Sequence, residues 1–360
     1  MNILITGSTG FLGSTLAKRL LKENHHVYLL ARTQKKAQVL IEQLNNKSGQ
    51  VHIIEGELTK PFLGISEEEV DALTGKIDVI YHSAALLSFD ESKREEIFHV
   101  NVSGTKNILE LAKIIKVQTF IHVSTAYTLG TRSIGSETLY PTSSTFNNSY
   151  EESKCKAEHL VMSYNKSFNV MIMRPAIIIG DSETGESNTA FGLYGIIRTV
   201  EILKKKALRE PNNNHKYRLL LNQSSVSNLV PIDYVVNVLI LGLSFGKNNT
   251  VYNITNPNPP SNQLIFDAIT ESLEFNGIEL IPYNEEHTLT EEEVKINTPI
   301  KVFKEYLNSS VTFEDDNTRT LLTQGNGNPL NMDKPMLLTI VGGFVHRNSS
   351  TIKQVLQETV

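Results

Sequence analysis

Two sets of residues in this chain have the types and spacing to do chemistry. The first is Tyr150 and Lys154 in the run YEESKCKAE. Four positions apart, they share one face of a helix. An ammonium beside a phenol stabilises the phenolate and brings the group towards the working range of a proton donor or acceptor. The second set is Gly7, Gly10 and Gly13 in TGSTGFLG, residues 6–13. Such a triplet permits a tight turn, lets a pyrophosphate approach the backbone and lets the next helix pack closely, while that helix offers free N–H groups to the anion. Each pattern also occurs where it is only structural. The strands and helices around it decide the matter.

Those elements can be read from hydrophobic periodicity. Asn2–Thr6 is an apolar run too short for a helix, and the helix after it carries a stripe of Phe11, Leu12, Leu16, Ala17 and Leu20. His26–Ala31 is a second strand that closes on Arg32, followed by Thr33, Gln34, Lys35 and Lys36. At that position an acid accepts from a ribose 2′-hydroxyl and a base suits a 2′-phosphate. Arg32 therefore points to NADPH, the alternative being a solvated capping cluster. Val51–Glu55 is a third strand, with Glu57 and Leu58 in a turn that would lie beside the adenine. A fourth, residues 77–81, runs into His82, Ser83, Ala84 and Ala85. The small residues would let this loop approach the cofactor, and His82 reads as a packing residue or as a support behind the site, not as a ligand.

Residues 91–116 are predicted helical, with Ile97, Val100, Ile108, Leu111, Ala112 and Ile115 facing a core. Asn101 is polar within that stripe, which suits an anchor for a neighbouring loop or a water, or a proton relay. Thr119–Val123 is a fifth strand ending in Ser124, Thr125, Ala126 and Tyr127. Ligands of open α/β sheets bind outside the carboxyl ends of the strands, so these hydroxyls stand where chemistry happens. Residues 131–148 form a long loop that would cover the site. Cys155 reads as a small packing residue. The alternation predicts an α/β fold, a Rossmann-type doubly wound parallel sheet with a smaller C-terminal substrate lobe. The dinucleotide domain is expected over residues 1–180, with 217–255 returning to it, and the substrate lobe over most of 181–360.

Composition narrows the function classes. A net charge of -5 over 360 residues gives no electrostatic attraction to nucleic acid or an anionic membrane. The single cysteine excludes an internal disulfide and a cysteine-based zinc site, no histidine stands at metal-ligand spacing from His82, and no metal is expected. Residues 336–345 are apolar over about half the length needed to span a bilayer. Met1 leads directly into a strand, leaving no room for a signal peptide, so a cytoplasmic protein without a membrane span is expected.

With the glycines and the Tyr150/Lys154 pair in hand, the chain resembles the extended short-chain dehydrogenase/reductase superfamily. Within it the chain is similar to the male sterility NAD-binding branch, which holds fatty acyl-CoA reductases and the thioester reductase domains of carboxylic acid reductases and peptide synthetases. The resemblance covers about the first 260 residues in order. It is carried by TGSTGFLG, by HSAALLSF at 82–89, by NVSGTKNILELA at 101–112 and by FIHVSTAY at 120–127. It continues in YEESKCKAEHLV at 150–161, MRPAIIIGDSETG at 173–185 and LVPIDYVVNVLI at 229–240, and fades towards FEDDNTRTLL at 313–322.

The resemblance implies Thr125, Tyr150 and Lys154 as the catalytic set, with Ser124 as the fallback hydroxyl. It implies a cofactor loop of Thr6, Gly7, Thr9, Gly10, Phe11, Leu12 and Gly13, and a nicotinamide contact at Pro175. It implies NADPH-dependent reduction of an acyl thioester, carried on coenzyme A or on a separate acyl carrier protein, to aldehyde or alcohol. A homodimer is left open. The rival readings are a sugar-nucleotide epimerase or dehydratase, a reductase of free carbonyls, and a non-catalytic NADPH-sensing binding protein. A helix over residues 190–206 ends in Lys204, Lys205 and Lys206, which fits a solvated helix terminus or contact with the phosphates of coenzyme A or a carrier.

Overall fold

The computed structural model describes residues 1–44, 49–189, 192–209 and 216–357, leaving the side chains of 34, 36, 37, 43 and 348–357 undescribed. Seven strands form one sheet: β1 (Asn2–Thr6), β2 (His26–Ala31), β3 (Val51–Glu55), β4 (Val79–His82), β5 (Thr119–Val123), β6 (Asn169–Pro175) and β7 (Thr250–Ile254). Their order is β7-β6-β5-β4-β1-β2-β3, every neighbouring pair parallel. The chain winds outward from β1 to β3 and returns on the other side at β4. The crevice between β1 and β4 is the switch point at which such sheets bind ligands. A parallel sheet is covered on both faces, so its strands read as unbroken apolar runs. Ile3, Leu4, Ile5, Val27, Leu29, Ile80, Tyr81, Phe120, Ile121, Val170 and Ile172 are accordingly buried.

The expected doubly wound sheet is present: four of the five predicted strands keep their predicted bounds, and the one expected at 77–81 is Val79–His82. The predicted helix 91–116 is broken where Asn101 stands. A 3₁₀ turn (Glu91–Lys93), a short helix (Arg94–Phe98) and a π-helical turn (His99–Ser103) precede the helix Gly104–Ile114. Such π turns widen a helix locally and turn side chains out of register. The helix opening at Tyr150 spans Ser149–Met162.

The chain divides into two compact units. The first holds residues 1–176, 235–255 and 313–329, and the second 177–234, 256–312 and 330–360. Only Val235–Thr255 of the stretch expected to return to the first unit does so. Tyr217–Leu220 pairs in parallel with Ile278–Ile281 instead, which keeps it in the second unit. Phe313–Pro329 joins the first unit through side chains that seek the sheet edge: Asn317 Nδ2 donates to Val251 O at 2.9 Å. Glu137 accepts from the N–H groups of Asn253 at 2.9 Å and Asn317 at 2.6 Å.

The second unit is built on the helices Leu193–Arg209, Asn262–Ser272, Glu291–Lys301 and Lys334–Gln357. The helix predicted to start at Ala190 begins at Leu193, and Ala190 itself lies outside the described residues. Among the described residues no helix is long and apolar enough to cross a membrane. Lys204 donates to Leu273 O and Lys206 pairs with Glu292, so two of the three terminal lysines are engaged within this unit.

Candidate active site

The glycine turn sits at the carboxyl end of β1. Gly7 has φ +70°, and a Cβ there would lie 2.8 Å from the backbone nitrogen of Ala84, so only glycine fits between the two strand ends. A Cβ on Gly13 would meet Gly7 O at 2.3 Å, which is how closely the helix Phe11–Lys22 packs on the turn. Gly10 is exposed at the N-cap of that helix, without a side-chain cap, and no acid stands in the first turn. The first N–H groups and the positive end of the helix dipole are thus turned to solvent. These residues fit the pyrophosphate of a dinucleotide.

Thr9 is exposed and Phe11 and Leu12 are half-buried in the same turn. Arg32 stands exposed just past the end of β2. The turn after β3 is held by Glu57 N–H donating to Leu63 O at 2.7 Å and by Asn107 Nδ2 donating to Leu58 O at 2.7 Å. After β4, Ser83 Oγ donates to Thr6 O at 2.7 Å, which draws Ser83, Ala84 and Ala85 alongside the glycines.

Beneath this surface runs a buried chain of hydrogen bonds whose direction follows from counting protons. Thr105 Oγ1 donates to Asn101 O at 2.6 Å, so towards His82 Nε2, 2.9 Å away, it can only accept. His82 therefore carries its proton on Nε2, and its Nδ1 accepts from Thr6 Oγ1 at 2.7 Å. Thr6 Oγ1 in turn accepts from Ala84 N–H at 3.2 Å. Burial, and Lys154 after it, lower His82 to about 3, which keeps this tautomer neutral. His82 is more than packing: it ties β1 to the helix beside it.

Asn101 continues the chain. Its Oδ1 accepts from Leu86 N–H at 2.7 Å, and its Nδ2 donates to Leu86 O at 3.1 Å and to Ser153 Oγ at 2.9 Å. Ser153 Oγ donates to the carbonyl of Tyr150 at 2.8 Å. Both amide donors of Asn101 are committed and the residue is buried, so it anchors the loop after β4 to the Tyr150 helix. Asn101 is also expected as a cofactor contact; in the protein alone its side chain is directed to Leu86 and Ser153.

Tyr150 is half-buried in the first turn of its helix, with its ring 6.3 Å from that of Phe89. Lys154, one turn on, is 2% exposed. Its Nζ donates to Val123 O at 2.7 Å, and His122 Nε2 lies 3.3 Å away. That bond fixes the helix against the last residue of β5, two residues before Thr125. Thr125 Oγ1 accepts from Tyr127 N–H at 3.3 Å, while the buried Ser124 Oγ has no partner among the described residues.

Burial lowers Lys154 to about 8, with Glu158 opposing the shift. Burial, then Glu151, pushes the Tyr150 phenol above its ordinary value. A phenol lowered by Lys154 was the expectation. In the protein alone the phenol is raised instead, because its phenolate loses water and faces the Glu151 carboxylate.

The helix is held at both ends. Asn148 caps it by accepting from Glu151 N–H at 3.0 Å. Towards its C-terminus the fully buried Glu158 takes a bidentate bond from the fully buried Arg174 of β6, at 2.8 and 2.6 Å. Pro175 follows at the end of β6, paired with Ile254. Arg174 also donates to Ser136 O at 3.0 Å, which ties down the loop 131–148. Within that loop Ile134–Gly135 pairs with Thr312–Phe313, an extended pair the sequence did not reveal. Cys155 donates weakly to Tyr140 O at 3.5 Å, and burial pushes its thiol up to about 12, as befits a packing residue.

The NAD-binding family described as male sterility protein has a model that matches residues 5–239. The chain belongs to that family. As a member it carries an NAD-binding domain, and the matched stretch contains the glycine turn, His82, Asn101, Thr125, Tyr150 and Lys154. Fatty acyl-CoA reductase 1 of Xenopus laevis is 31% identical over 315 residues, an alignment that takes in 71% of this chain and 57% of the reductase. The chain thus spans little more than half the length of that relative.

Among solved structures, the terminal R domain from the myxalamid PKS-NRPS biosynthetic pathway is similar with a TM-score of 0.79 at 24% identity, over 96% of this chain and 91% of that one. UDP-glucuronic acid 4-epimerase from Bacillus cereus, solved in complex with NAD, is similar with a TM-score of 0.68 at 21% identity, over 96% of each chain. Male sterility proteins, R domains and sugar-nucleotide epimerases share this fold, so the fold alone does not choose between reduction and epimerisation.

Proposed function

We propose that this male sterility family member is an NADPH-dependent reductase of acyl thioesters, with Thr125, Tyr150 and Lys154 at its centre. The observation that carries the reading is the bond from Lys154 Nζ to Val123 O. It joins the Tyr/Lys helix to the strand end bearing Thr125, in the same unit as the glycine turn. The similarity to fatty acyl-CoA reductase 1 favours a thioester over a sugar nucleotide.

NADPH, when bound, supplies the hydride that reduces the thioester carbonyl. The chain's own residues handle the charge and the proton. Thr125 Oγ1 receives Tyr127 N–H, which leaves its own hydrogen to donate to the developing oxyanion. Tyr150 gives that oxyanion its phenolic proton. An ammonium has three N–H donors, and Lys154 uses two on β5, so the third is available to the ribose hydroxyls and the phenol. The hemithioacetal then collapses to thiol and aldehyde.

The second unit supplies the support for an acyl chain. It contains a cavity of about 40 Å³ walled by Ile177, Leu193, Ile196, Ile265, Phe266 and Leu307 among others. The polar side chains Ser227 and Asn262 on its lining are turned to each other, Ser227 Oγ donating to Asn262 Oδ1 at 2.7 Å. Asn262 Nδ2 is spent on the carbonyls of Asn222 and Leu307 at 2.9 and 2.7 Å. A narrow slot lined mainly by aliphatic and aromatic side chains, with Tyr306 beside Ser227 and Asn262 as its polar members, suits an alkyl chain better than a sugar.

The test is NADPH consumption over a panel of acyl-CoA and acyl-carrier substrates, with the products identified. Tyr150→Phe should lower the rate by roughly 10²–10⁴. A panel that stays silent, or near-normal turnover in Tyr150→Phe, overturns the assignment.

A further inference from the structure

Among the described residues, Lys154 reaches its place without a carboxylate in contact. Its partners are a carbonyl, Val123 O at 2.7 Å, and an imidazole, His122 Nε2 at 3.3 Å, both from β5. Among the described residues, the titratable side chains nearest it come from three elements. His122 comes from β5 and His82 from β4, their rings 5.3 Å apart. Tyr150 and Glu158 come from its own helix, and Glu158 is committed to Arg174.

An ammonium only donates, so His122 meets it with a lone pair on Nε2 and carries its proton on Nδ1. Nδ1 is buried and has no acceptor among the described residues. Buried imidazole N–H groups are ordinarily hydrogen-bonded. This ring gives up that bond and orients itself by Lys154 instead. A second cation here would face Lys154 directly, and His122 and His82 are both held neutral by burial and by Lys154.

We propose that His122 is a positioning residue for Lys154: its neutral imidazole accepts from the ammonium and, together with the Val123 carbonyl, aims the remaining N–H of Lys154 out of the protein towards the ligand. The inference rests on the reading of Lys154 given under the proposed function. His122 adds an acceptor for the buried ammonium beside the Val123 carbonyl, and Glu158 favours the same charged form from a distance. Burial already pushes Lys154 down to about 8, and removal of an acceptor for its charged form favours the neutral amine further.

The experiment is the pH profile of kcat/KM and the KM for NADPH in His122→Phe, which keeps a ring and removes the acceptor, and in His122→Gln, which returns an acceptor. In His122→Phe the alkaline limb should move down by about one pH unit and the KM for NADPH should rise about tenfold. His122→Gln should bring both back towards wild type. A folded His122→Phe with an unmoved limb and unmoved KM, alongside an inactive Lys154→Met, overturns the role of His122. A fully active Lys154→Met overturns the parent reading instead. Should His122→Phe fold poorly, His122→Asn, polar but too short to reach Nζ, takes its place with the same expected shifts.

Discussion

At the scale of single residues, the site depends on groups that fit in one way only. Gly7 combines φ +70° with a 2.8 Å approach to Ala84 N. Gly7→Ala should raise the Kd for NADPH about fivefold to a hundredfold, because a strained αL residue costs about 1–3 kcal/mol; a fluorescence titration of NADPH binding checks it. Arg32 is exposed at the end of β2. If it pairs with a 2′-phosphate, the charge-assisted contact is worth about 1.5–3 kcal/mol. Arg32→Ala should then cut the preference for NADPH over NADH by about tenfold to a hundredfold, and an unchanged ratio of kcat/KM values removes Arg32 from cofactor choice. Tyr150 and Lys154 were legible because one turn of helix puts them on one face. His122 was not: inside TFIHV it looks like any strand residue, and its partner lies 32 positions away. One signal was available, since His82 and His122 are register partners on neighbouring strands. Strand register, however, is a tertiary fact.

At the scale of elements, the helix Ser149–Met162 is the part that everything else holds in place. Ser149 is bound by Glu91, Ser153 by Asn101, Lys154 by β5 and Glu158 by Arg174 of β6. The Glu158–Arg174 pair is fully buried and bidentate. Removing one partner leaves an uncompensated buried charge, so Glu158→Ala should destabilise the unit by about 3–5 kcal/mol. A shift that large is plain in a urea melt. The paired change Glu158→Leu with Arg174→Met should cost less than Glu158→Ala alone, because it leaves no charge behind; a double variant weaker than the single one would contradict this account of the pair. Five of the seven sheet strands are legible as apolar runs, and the ends of the fourth were off by a residue or two because they are set by what the neighbouring strands can pair with. The π turn at Asn101 was signalled only as a polar residue in an apolar stripe. The pairing of Ile134–Gly135 with Thr312–Phe313 was hidden, since two-residue strands carry no period.

At the scale of the whole chain, two units are woven from alternating stretches of sequence; a return within 217–255 was expected, whereas that of Phe313–Pro329 was concealed. Residues up to Ala176 read in order as one domain, whereas Val235–Thr255 and Phe313–Pro329 rejoin it from far along the chain. Contacts at such separation leave no local pattern. The second unit holds the apolar slot, and Ile265→Trp, which fills it, should depress turnover of long acyl chains several-fold more than that of short ones, because overpacking and lost volume act on the chain that needs the space. Turnover across a chain-length series reads this out, and equal effects at all lengths would place the acyl chain elsewhere. The central claim is that hydride passes to a thioester carbonyl. It is tested most directly by incubating the protein with a long-chain acyl-CoA and NADPH deuterated at the transferring position of its nicotinamide, then analysing the products by mass spectrometry. The expected result is aldehyde or alcohol bearing deuterium on the former carbonyl carbon, lost in Tyr150→Phe. Unreacted thioester beside a sugar nucleotide epimerised by the same preparation would contradict it.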